Sequence, residues 1–137
     1  MAQGVLSAKL GELDQRFTRL HTRIQLSETA DQEQIRENVR ALQKECVENR
    51  LLLKDSMKVC KAKNIALISS IYDRVDEVMD EVHKKLELPV PSGRDGELYV
   101  ETVSLLAEYM LDFAMQAADE ALLVSMQAIS SQQSRLQ

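Results

Sequence analysis

Histidine and cysteine are the side chains that most often carry metal or acid–base chemistry, and this chain has two of each: His21, His83, Cys46 and Cys60. Asp80 and His83 stand three residues apart, so a helix would place both on one face. That is half of the carboxylate–x–x–His arrangement of dinuclear metal bundles. A complete centre needs a second such pair, and the nearby acids Glu12 and Asp14 do not supply it for His21. His83 therefore reads as a surface histidine among Asp76, Glu77, Asp80 and Glu81. Phosphate-cradling glycine motifs, nucleophile elbows and zinc-type cysteine–histidine spacings do not occur. The sequence points to no catalytic residue, no cofactor, no metal and no small-molecule substrate, and the expectation is that the protein is not an enzyme.

Other residues suit recognition better than catalysis. Cys46 and Cys60 lie fourteen positions apart; on one straight helix they would share a face about 21 Å apart, too far to bridge. Buried small hydrophobes are the simple account. The alternative is a parallel in-register dimer in which each cysteine faces its own copy. Asn49 and Asn64 fall on apolar seam positions, where a buried amide selects register at a cost in stability, unless it turns to the edge of the interface. Met110, Met115 and Met126 form the one methionine grouping of note. Such unbranched, polarizable side chains adapt to varied helices, although core packing explains them as well. These seven residues are the candidate partner-contact and register positions.

The elements that would position them are helices. Leu6, Leu10, Leu13, Phe17, Leu20 and Ile24 step by four and three along an uninterrupted seam, which predicts a helix over about 4–26 running through Gly11. The seam stops at Ser27–Asp31, where Thr29 with Gln32, or Asp31 with Gln34, resembles a capping box. A tight turn between antiparallel helices is favoured there over one continuous helix. A second helix is expected over about 31–87, because neither Gly nor Pro occurs between Gly11 and Pro89. Its seam runs Ile35, Val39, Leu42, Cys46, Asn49, Leu53, Met57, Cys60, Asn64, Leu67 and Ile71. The two successive steps of four at Asn49–Leu53–Met57 indicate a stutter, or a break near Asp55-Ser56. From Ile65 a second seam through Ile68, Tyr72, Val75, Met79, Val82 and Leu86 widens the apolar face, so this part needs a further neighbour.

Leu88 to Gly96, with two prolines and two glycines, is a linker. Asp95 is placed to cap the helix that follows over about 97–130, and Ser130 to Gln137 reads as a fraying tail. Val103, Leu106, Met110, Phe113, Ala117, Ala121 and Val124 mark that helix's apolar face, widened by Leu111, Ala114, Ala118, Leu122 and Ile129. No Lys or Arg lies between Arg94 and Arg135, whereas 36–63 carry an excess of bases. Opposite stripes of this kind can orient packing, within a chain or between copies, although solvated faces are the simpler account of both. The expected fold is all-α: a long antiparallel helical hairpin or coiled coil with the C-terminal helix packing on its later half, in a single helical domain.

The net charge of −5 and a pI near 5.1 give no electrostatic basis for binding nucleic acid, and the basic stretch lacks aromatics for base stacking. No run is long and apolar enough for a membrane span. The N-terminus lacks the basic and apolar regions of a signal peptide, so a cytoplasmic protein is expected. Its partner would be another protein or a second copy, met through coiled-coil or helix-in-groove contacts. Residues 49–59, Asn-Arg-Leu-Leu-Leu-Lys-Asp-Ser-Met-Lys-Val, resemble a stretch in flagellar export chaperones of the hook-associated-protein class. Over those eleven residues, the resemblance implies a small acidic helical chaperone that holds an export client through a mobile C-terminal helix. Pro89 to Gly96 would then be its hinge.

Overall fold

A computed structural model describes residues 4–87 and 89–136, and among these it contains four α-helices and no strand. The protein is all-α. Helix α1 covers Val5–Glu28, α2 Gln32–Val59, α3 Ile65–Glu87 and α4 Arg94–Leu136. The chain divides into two units, Met1–Tyr72 and Asp73–Gln137.

In the first unit, α1 passes through Gly11 without a break. It closes where the Thr29 and Ala30 N–H groups donate to the carbonyls of Leu26 and Ser27, at 3.4 and 3.3 Å. Asp31 then turns extended (φ −76°, ψ 167°), and its Oδ1 accepts from the Gln34 N–H at 2.9 Å. Of the two caps available in the sequence, Asp31 thus satisfies one of the orphan donors that begin a helix. The Thr29 hydroxyl instead donates back to the Leu26 carbonyl at 3.3 Å. With only three residues in the turn, α2 returns alongside α1, and Arg23 Nη1 donates to Glu45 Oε2 at 2.9 Å across the pair.

Helix α2 runs through Asp55 and Ser56 and ends at Val59. Cys60 is extended (φ −70°, ψ 128°), and Ile65 resumes the next helix with its N–H on the Ala62 carbonyl at 3.3 Å. The expected helix 31–87 is therefore two helices, and the interruption lies at 60–64 instead of 55–56. Neither glycine nor proline causes it. Cys60 and Asn64 are weak helix formers, while Lys58 in the last turn favours termination by facing the negative helix end.

In the second unit the linker's first residue, Leu88, lies outside the described residues. Gly93 takes a left-handed φ of 70°, and its carbonyl accepts from the Glu97 N–H at 3.2 Å, opening α4. The helix therefore starts before Asp95, which sits in the first turn and not at the cap. With Glu97 it still places negative charge at the positive helix end. Position 96 must be glycine for a different reason: a Cβ there would collide with the Pro91 carbonyl oxygen. At the other end α4 continues to Leu136 through the segment expected to fray. Gln, Arg and Leu are good helix formers, and the Ser131 hydroxyl finds the Gln127 carbonyl at 2.8 Å. Gln137 lies outside the described residues.

Among the described residues none is buried, although 45% of the chain is hydrophobic. The accessible surface is 12077 Å². A compact monomer of this mass would expose about 7,200 Å², and two separate compact bodies of half the mass about 8,700 Å² together. Even on the second comparison roughly 3,400 Å² more is in contact with water than a self-contained core would leave.

Candidate functional site

Where α1 and α2 face one another they leave an open cleft of about 420 Å³. Leu20, Arg16, Arg19 and Arg23 line it from α1, and Leu42, Glu45 and Glu48 from α2. Cys46 and Asn49 also line it, so these two candidate positions are brought together. Cys46 is half-buried, and Leu20 and Leu42 remain 40% and 39% exposed. The seam side chains are aligned between the helices but not sealed.

The other candidates separate. Cys60 is exposed at the end of α2, and Asn64 lies in the turn before α3. Neither holds a helical seam position, because the interruption at 60–64 removes the periodicity that placed them there. Met110 is half-buried, whereas Met115 and Met126 are exposed. At about 100° per residue Met115 and Met126 share a face and Met110 lies about 140° around the helix, so the three do not make one patch. Among the described residues no group of three or more His, Cys, Asp and Glu side chains is arranged to hold a metal ion. No helix among them is long and apolar enough to cross a membrane.

Compared with protein-family models, curated proteins and solved structures, the chain matches none. Its surfaces must be read from their own chemistry.

Two faces stand out. On α4 the residues Leu111, Met115, Ala118, Leu122, Met126 and Ile129 recur at three and four positions, within a wedge of about 80°. All but Ala118 are large hydrophobics left well exposed. This stripe lies some 130° from the face through Val103, Leu106, Met110, Phe113, Ala117, Ala121 and Val124, so α4 is apolar on two sides. Glu97, Glu101, Glu108, Asp112 and Asp119 fall within about 60° of one another, directly beside the outer stripe. On α2, Arg36, Arg40, Lys44 and Lys58 occupy a wedge of about 80° that also contains the exposed Val47 and Leu51. Arg50 and Lys54 belong to the same side and already have partners within the chain. Between residue types alone, the base-rich and acid-rich stretches were visible; their condensation into columns beside apolar stripes needs the helix bounds.

Helix lengths add a constraint. Helix α4 has 43 residues and α3 has 23. At 1.5 Å per residue these are about 64 and 34 Å, so α4 is the longer by some 30 Å.

Proposed function

We propose that the protein is a non-enzymatic helical interaction protein whose hydrophobic core is completed by another helical surface, through coiled-coil or helix-in-groove contacts and including self-association. One observation carries the reading: a chain with ample apolar residues buries none of those described. Exposed single hydrophobics are ordinary, but contiguous apolar stripes are not, and they mark association surfaces. The area left over is large. Obligate interfaces remove about 1,000–2,500 Å² from each partner, and this chain holds roughly 3,400 Å² beyond what compact bodies of its mass expose, more than one such interface would cover.

Size-exclusion chromatography with light scattering over a hundredfold range of concentration tests it. An oligomer, or a tight complex with a helical protein partner, is expected, with a melting temperature that rises with concentration. A strict monomer that melts cooperatively at one temperature across the range, and binds no protein, overturns the reading. A monomer whose residues 97–129 gain protease protection only on addition of an export substrate would move it to the chaperone class named above.

A further inference from the structure

Resting on that reading, we propose that the partner is a second copy of this chain, and that the acidic, apolar-striped face of α4 docks on the basic face of α2 in that copy. Three observations converge on it. First, the charge is segregated by unit: residues 1–72 carry twelve Lys and Arg against nine Asp and Glu, whereas 73–137 carry five against thirteen. The first unit is net +3 and the second −8, so like units repel and unlike units attract.

Second, the charges are organised as matching columns. Glu97 to Asp119 on α4 and Arg36 to Lys58 on α2 each span 22 residues, about 33 Å of helix. Both columns run beside exposed hydrophobics, Leu111, Met115 and Leu122 on one and Val47 and Leu51 on the other. Apolar contact supplies the association, and the flanking charges select which face meets which. Third, a two-fold pair makes this contact twice, because each copy presents both faces. Two contacts draw on more of the roughly 3,400 Å² that each chain exposes beyond compact bodies of its mass than one contact would.

A charge-swap experiment distinguishes pairing between copies from docking within one chain. In one variant Arg36→Glu, Arg40→Glu and Lys44→Glu make the α2 column acidic. In the other Glu101→Lys, Glu108→Lys and Asp112→Lys make the α4 column basic. Each variant alone should dimerise roughly 100-fold more weakly than the original chain, as measured by sedimentation equilibrium. Mixed, the two should form a 1:1 heterodimer of near-original affinity, because both contacts are again between opposite charges. One chain carrying all six substitutions should self-associate normally and serves as the folding control, with helicity followed by circular dichroism.

A heterodimer on mixing supports the proposal. Weakened variants that mixing does not restore place the contact within one chain and overturn it. Self-association unaffected by either swap also overturns this pairing while leaving the proposed function standing. A strictly monomeric original chain that binds no protein removes both.

Discussion

Leu122 offers the sharpest test of where the core of this protein lies. Its side chain is 56% exposed, on the outer apolar stripe of α4. Fully burying a leucine is worth about 1.5–3 kcal/mol, so roughly 1–1.5 kcal/mol is left for a partner to supply at this position. In a two-fold pair the residue counts twice, giving about 2–3 kcal/mol per dimer, or a 30- to 150-fold change in dissociation constant. Leu122→Ala is the right perturbation, because alanine keeps the helix propensity while removing the apolar volume. Sedimentation equilibrium should show the weakened dimer, and circular dichroism at concentrations below dissociation should show helicity close to that of the original chain. If the dissociation constant moves less than threefold, Leu122 is not covered by a partner. If helicity instead falls equally at every concentration, the residue packs within its own chain. Either result refutes the argument from exposed area.

Four further outcomes follow from local geometry. Asp31→Ala removes the cap on Gln34 and should destabilise the first unit by about 1 kcal/mol in urea titration, whereas Asp31→Asn keeps an acceptor and should cost far less. Gly11→Ala meets open space in a regular helix and should stabilise by up to about 1 kcal/mol. The chemically identical Gly96→Ala should lower the melting temperature, by about 1–2 kcal/mol in equivalent stability, because the Pro91 carbonyl must move. Cys60, exposed, should react with a maleimide several-fold faster than half-buried Cys46, as peptide mapping after a brief pulse would show; equal rates would mean that Cys46 is open as well.

Much of the fold was legible because helical signals are local. The three-and-four stepping from Leu6 to Ile24 depends only on neighbours within two turns, and it yields α1 directly. The Asp31–Gln34 cap is equally local. What failed were the ends that no single residue type announces. The interruption at 60–64 falls where only weak helix propensity marks it, an effect of a few tenths of a kcal/mol per residue, so spacing alone carried the seam across Cys60 and Asn64. Asp95 looked like a cap because its side chain is suitable, but Gly93 adopts the left-handed turn first and starts the helix ahead of it. Of the candidate positions, Cys46 and Asn49 share a cleft because they lie four or fewer residues apart on one unbroken helix. Met110, Met115 and Met126 were grouped by type and proximity in sequence, and helical phase separates them.

The lysine-rich interruption between α2 and α3 has a consequence for how the chain is cut. Lys61 lies in a non-helical stretch after the extended Cys60, and Lys63 begins the turn that leads into Ile65, so both are exposed where backbone can enter a protease's active site. Trypsin at low dose should nick here before it attacks the lysines and arginines inside the helices. No charged residue lies between Lys63 and Asp73, so the cut falls at the change of sign along the chain. The two products would differ by eleven charges, and anion exchange in denaturant would retain one while the other flowed through.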